Sequence, residues 1–166
     1  VVVSTYQAVS GSGKKAFEGL KNETRQFIEK GEIDDPQAYH YPIAFNCLPH
    51  IDVFQEGGYT KEEYKMVNET GKILDGKIKV NATCVRVPVL YGHSEMVNME
   101  TEKKLSPEKA RELLEHAPSI KVIDNPEKNE YPMPLYSNDE DLTMVGRIRE
   151  DYTIENGLTL WVVSNN

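Results

Sequence analysis

Apolar and polar positions along the chain fall into short blocks with one of two periods. The opening run Val1-Val2-Val3, continued by Ser4, Thr5, Tyr6 and Gln7, is rich in β-branched residues and predicts a strand. Ser10, Gly11, Ser12 and Gly13 form a flexible corner. Beyond it Phe17, Leu20, Thr24, Phe27 and Ile28 recur at helical spacing and predict an amphipathic helix ending near Gly31. A loop over 34–40 leads to a short apolar strand around 43–45 and a turn at Pro49. Thr60 and Glu63 have the spacing of a capping box, in which each side chain satisfies the other's free backbone donor. The helix that follows is predicted over about 61–74, with Tyr64, Val67 and Leu74 inward. From Lys77 to Val87 the residues alternate strictly, with Ile78, Val80, Ala82 and Cys84 on one face, which predicts a long half-buried strand. Pro88 ends it, and a second alternating segment runs from about 94 to 102. Ser106-Pro107 is a helix start, with Ala110, Leu113 and Leu114 inward. Residues 124–142 are expected to be one long loop, and 143–149 and 158–163 two closing strands.

About six strands and three helices without strict βαβ alternation indicate an α+β domain: a mixed, mostly antiparallel sheet with helices packed on one face. The 166 residues are one domain's worth, enough to bury about 70% of the unfolded surface. Both termini run straight out of apolar strands, so the expectation is a segment cut from a longer chain. With 19 Lys plus Arg against 27 Asp plus Glu, the net charge of −8 opposes a phosphate-backbone partner, since such binding displaces counterions with cationic side chains. No apolar run approaches a membrane span and no charged-then-apolar leader precedes the first strand. Cys47 and Cys84 are expected to be reduced. Neither nucleic acid nor a membrane is an expected partner.

Arg86 is the strongest anomaly. Period two puts it on the face of Ile78, Val80, Ala82 and Cys84, so a permanent cation ends an apolar row and needs an anionic partner. Two readings stand: a strand-end arginine that bends to solvent or pairs with a structural carboxylate, or bidentate capture of a substrate carboxylate. His93 follows Gly92 at the turn before the next strand, where a hairpin would bring it beside Arg86. Its imidazole is either a solvated surface group or a proton carrier. Glu62 and Lys65, three apart on one helical face, make by default a solvated ion pair. Gly11 to Lys15 does not fit a P-loop, although a glycine corner opening a helix can present backbone donors to a cofactor. The four histidines and two cysteines lack ligand spacing, and no metal site is expected.

The blocks VVVSTYQAVSGSG at 1–13, YPIAFNCLPHIDVF at 41–54, YTKEEYKMVNET at 59–70, ATCVRVPVLYGHSE at 82–95 and VGRIREDYTIENGLTLWVVSNN at 145–166 resemble the aspartate-semialdehyde dehydrogenase family over the whole chain. The resemblance implies a glyceraldehyde-3-phosphate dehydrogenase-like C-terminal domain. It would be the catalytic and dimerisation half of a two-domain subunit, spanning 1–166 without the Rossmann NADP domain. It implies conversion of L-aspartyl 4-phosphate and NADPH to L-aspartate 4-semialdehyde, phosphate and NADP through a cysteine thioester, in a cytoplasmic homodimer on the route to lysine, threonine and methionine. By the same resemblance His93 is the acid/base group. Arg86 grips the substrate α-carboxylate, Glu62 faces the α-ammonium, Lys65 binds the phosphate, Gln7 orients substrate, and Ser10 and Gly11 touch NADP. The family's nucleophilic cysteine precedes the STYQAVSG block and is absent here. Asn46-Cys47 imitates the family's Asn-Cys pair in another block, and the chain alone is expected to be inactive. The alternatives are a related acyl-phosphate reductase, such as an N-acetyl-glutamyl-phosphate reductase, a glyceraldehyde-3-phosphate dehydrogenase, or a non-catalytic dimerisation module.

Overall fold

The first strand, β1 (Val2–Gln7), alternates exposed or half-buried residues with the buried Val3, Thr5 and Gln7. It is followed by a 3-10 turn at Val9–Ser12 and by α1 (Lys14–Lys30), α2 (Lys61–Ile73), β2 (Asn81–Arg86), β3 (His93–Glu100), α3 (Pro107–Glu115), β4 (Ile120–Val122), β5 (Thr143–Asp151) and β6 (Gly157–Ser164). This computed structural model describes every residue except Asp75 and Glu140. Glu140, inside the predicted 124–142 loop, is therefore outside the described residues.

Among the described residues the six strands form one sheet in the order β2-β1-β3-β6-β5-β4. Three of its pairings are antiparallel, and β1–β2 and β4–β5 are parallel. The α+β, mostly antiparallel expectation therefore holds. Details differ. The alternating segment predicted to begin at Lys77 joins the sheet only at Asn81, opposite Val2. The predicted strand at 43–45 is a turn: the Glu23 carboxylate takes the N–H groups of Ile43 (2.7 Å) and Ala44 (3.0 Å), and Phe45 at φ 58° cannot continue a ladder. β4 went unforeseen because three residues carry no readable period. The buried stripe of α1 is Ala16, Gly19, Leu20 and Glu23, while Phe27 and Ile28, expected inward, are exposed; so are Leu74 and Leu113.

Two apolar clusters flank the sheet. One packs Val9, Ala16, Leu20, Ile43 and Ala44 beyond the ends of β1 and β2; the other sets Ala110 of α3 on Val145, Ile148, Leu158 and Leu160. α2 is tied to the free edge of β2 by one side chain. Glu63 Oε2 accepts from Thr60 N (2.7 Å), completing the capping box, and its Oε1 accepts from Cys84 N (3.0 Å). The outer flank of β2 is also covered at its end, where Leu48 and Arg86 exchange backbone hydrogen bonds of 2.9 and 2.8 Å.

Candidate active site

The site grows from the end of β1. Gln7 stands in register with Arg86 of β2 on one side and His93 of β3 on the other. Directly opposed residues share a sheet face, so all three side chains leave the same side of the sheet at the same height. The hairpin expected between Arg86 and His93 does not exist. β1 lies between them, because the chain from Val87 to Gly92 passes over the end of β1, with Ala8, Val9 and Ser10 donating to Gly92, Val89 and Leu90 carbonyls.

Arg86 is only 6% exposed, so it does not bend to solvent. Its Nη1 donates to Ala8 O (2.7 Å), and its guanidinium carbon stands 5.9 Å from the Tyr39 ring centroid. Among the described residues no carboxylate forms an ion pair with it. Burial lowers its pKa, against the opposing pull of Tyr39 and Glu62, yet an arginine remains a cation. It also borders a cavity of about 390 Å³ shared with Ser12, Tyr39, His50 and Asp52.

α2 delivers the acidic partner. Glu62 Oε1 lies 3.4 Å from Gln7 Nε2, which also contacts Thr5 Oγ1 at 3.3 Å, and Glu62 Oε2 pairs with Lys65 Nζ at 3.0 Å. The Glu62 side chain is 21% exposed and that of Lys65 48%, placing the lysine at the rim; its hydrogen bond to Glu62 raises its pKa. The spacing of these two therefore does produce an ion pair, but its acidic member faces the site.

His93 Nδ1 accepts from Ala8 N (3.3 Å). A ring nitrogen that accepts carries no proton, so this geometry assigns the neutral ring's proton to Nε2. Burial holds its pKa below 6.5, reinforced by Arg86 and opposed by the Gly92 carbonyl and Glu62. The glycine corner presses on the ring: a Cβ on Gly11 would lie 3.2 Å from His93 Cε1 and from Asn166 Nδ2. Ser10 Oγ donates to Asn166 Oδ1 (2.9 Å), as does Gly92 N (3.0 Å). Gly92, at φ 74°, has no room for a side chain because a Cβ would meet Ser137 Oγ at 2.1 Å.

All seven singled-out residues thus gather at one end of the sheet. Neither cysteine resembles a poised nucleophile: Cys84 is fully buried with its pKa raised chiefly by burial, and Cys47 is exposed in the turn after Ala44. Sequence reasoning missed Tyr39, Asn166 and Glu95. Tyr39 lies in an aperiodic loop and Asn166 beyond the last strand, where no pattern marks them. Glu95 shares a face with His93 two residues away, so the alternation that exposed Arg86 applied to it as well. Chemically, a buried cation, a carboxylate and an amide stand beside a neutral imidazole at one end of the sheet, a set able to pair with a charged group of either sign and to carry a proton.

The family model for the semialdehyde dehydrogenase dimerisation domain matches residues 1–166. The chain is 60% identical, over 167 aligned positions, to an aspartate-semialdehyde dehydrogenase of Aquifex aeolicus, covering 100% of this chain and 49% of that protein. It superimposes on aspartate-semialdehyde dehydrogenase II of Vibrio cholerae complexed with ASA at a TM-score of 0.93 and 41% identity, covering 99% of this chain and 48% of the other. It is also similar to the Candida albicans enzyme solved with NADP, at a TM-score of 0.67 and 25% identity, covering 99% and 44%. The chain spans about half the length of the curated relatives it matches. With the family model matched from the first residue to the last, the chain belongs to the family of semialdehyde dehydrogenase dimerisation domains.

Proposed function

We propose that this chain is the substrate-binding and dimerisation part of an NADP-dependent aspartate-semialdehyde dehydrogenase. The reaction takes L-aspartyl 4-phosphate, NADPH and a proton to L-aspartate 4-semialdehyde, inorganic phosphate and NADP, on the route to lysine, threonine and methionine. The observation that carries this reading is the row Arg86–Gln7–His93, with Glu62 hydrogen-bonded to its centre. Arg86, buried without a carboxylate partner among the described residues, takes the substrate α-carboxylate as a bidentate pair. Glu62 accepts from the α-ammonium, Gln7 fixes the angle between them, and Lys65 at the rim neutralises the phosphate. His93 gives and takes protons at Nε2, the nitrogen that the Ala8 N–H leaves free. NADPH supplies the hydride. Gly11 abuts the imidazole, since a Cβ there would lie 3.2 Å from His93 Cε1, and Ser10 and Gly11 in this corner contact NADP. The thiolate that receives the acyl group comes from outside these residues, within a two-domain subunit whose other half binds most of the cofactor.

In this reading the homodimer forms through the sheet face opposite the site. There the Tyr6 and Trp161 rings lie 5.4 Å apart and tilted by 48°, and Met96, Tyr131, Met133 and Trp161 border a cavity of about 520 Å³. No helix of the described residues is long and apolar enough to cross a membrane, and both cysteines are free thiols, in keeping with a cytoplasmic enzyme.

The test is the full-length protein carrying this chain, followed through the absorbance of NADPH. Arg86→Ala is expected to raise KM for aspartyl phosphate tenfold or more, about the loss of one charge-assisted pair. His93→Ala is expected to lower kcat about a hundredfold or more with little change in KM. Faster turnover of an N-acetylated acyl phosphate than of the free amine would replace this reading with its acyl-phosphate reductase relative.

A further inference from the structure

Glu23 is the one charged side chain in the buried stripe of α1, only 2% exposed, and the chemistry proposed above does not use it. Its Oε2 accepts from Ile43 N (2.7 Å) and Ala44 N (3.0 Å), while Oε1 has no partner among the described residues. Burying a carboxylate is costly, and these two amide donors offset that cost. The turn they belong to is closed on itself. Asn46 N donates to Ile43 O (3.1 Å), Asn46 Nδ2 to Pro42 O (2.9 Å) and Cys47 N to Asn46 Oδ1 (2.9 Å). At the next residue, Leu48 exchanges its two backbone hydrogen bonds with Arg86. A continuous path of hydrogen bonds and a few peptide bonds therefore leads from α1 to the backbone of Arg86.

β2 stands at the edge of the sheet, so Arg86 has β1 on one side and no strand on the other. The segment ending at Leu48 takes that second place. The chain just before it reaches the guanidinium, for Tyr39, with its ring centroid 5.9 Å from the guanidinium carbon, packs on the same apolar cluster as Ile43 and Ala44. Resting on the dehydrogenase reading, we infer that Glu23 is a positioning residue for Arg86. Its carboxylate fixes the turn at 42–47 against α1 and, through Leu48 and Tyr39, holds the outer wall of the pocket in which Arg86 receives the substrate carboxylate. Without that acceptor two buried N–H groups lose their partner, the turn leaves the helix, and water reaches Arg86. The pull of the guanidinium on an anion then weakens as the surrounding dielectric rises.

Hydrogen exchange on the full-length protein gives a readout independent of turnover. In the wild type the amides of Ile43, Ala44, Leu48 and Arg86 are expected to exchange through one shared opening, separate from that of β5 and β6. Glu23→Met keeps the length of the side chain and removes the acceptor. It is expected to speed exchange at all four amides about tenfold or more and to leave β5 and β6 as they are. In the NADPH assay it should raise KM for aspartyl phosphate about fivefold with kcat within twofold, because Arg86 grips a group remote from the reacting carbon. Glu23→Gln retains a carbonyl oxygen with two lone pairs and is expected to restore both the exchange rates and KM. Faster exchange confined to Ile43 and Ala44 would overturn the inference, as would a loss of kcat at unchanged KM, or a Gln variant no better than Met. Should Glu23→Met not fold, the wild type decides alone: Leu48 and Arg86 opening independently of Ile43 and Ala44 would defeat the coupling. A wild type without turnover would instead defeat the dehydrogenase reading, and the exchange comparison would still decide whether Glu23 holds Arg86.

Discussion

Glu95 shows what a single carboxylate does on a face built for other groups. It stands opposite Thr5 on the side of the sheet that carries His93, and burial alone raises its pKa above 4.5. A folded-state pKa above the unfolded one means that the unfolded chain releases its proton first. Stability therefore falls as pH rises from about 4.5 toward the folded value. Glu95→Gln should unfold at the same temperature as wild type below pH 4.5 and at a higher one at pH 7, measured by thermal scans at both. A wild type more stable than the variant at pH 7 would mean that the ionised carboxylate has a favourable partner. His93 has the opposite slope. Its pKa is depressed below 6.5, so the unfolded chain binds the extra proton first and stability declines as pH drops below 6.5.

At the scale of elements, α2 is held by its first turn. Glu63 caps Thr60 and reaches across to Cys84 N of β2, so removing either half of the box loosens the helix that presents Glu62 and Lys65. Thr60→Ala is expected to cost about 1 kcal/mol, measured by denaturant unfolding, and Glu63→Gln more, because Glu63 anchors two backbone donors and Thr60 one. Wild-type stability in both would make the helix start incidental. These signals were legible in the sequence because they are local: the capping box, the Ser106-Pro107 start and the alternation of β2 each lie within a few residues. What was not legible depends on distant partners. The strand expected at 43–45 became a turn because Glu23, twenty residues earlier, claims its amides. The hairpin expected between Arg86 and His93 was wrong because β1, at the other end of the chain's first hundred residues, inserts between them. Arg86 and His93 were each found from their own segments, but their shared height on the sheet is a property of pairing.

For the molecule as a whole, the proposal places the nucleophile outside the 166 residues. The chain by itself is expected not to oxidise NADPH in the presence of aspartyl phosphate, since Cys84 is buried as a protonated thiol and Cys47 stands in a different turn. Sustained loss of NADPH absorbance by the isolated chain would overturn that. The chain is also expected to dimerise through the open sheet face, and light scattering that gives one chain's mass, 18.9 kDa, across concentrations would count against this.

The place of β1 between β2 and β3 has one more consequence. Inward-facing positions along a strand repeat every two residues, about 6.6 Å. If β1 slid lengthwise, Gln7 would miss both neighbours together by at least that step, more than a four-carbon acid can bridge. Misalignment here is therefore not graded: a molecule with the wrong offset is mute, and a population containing such molecules should show fewer working copies, each running at full speed.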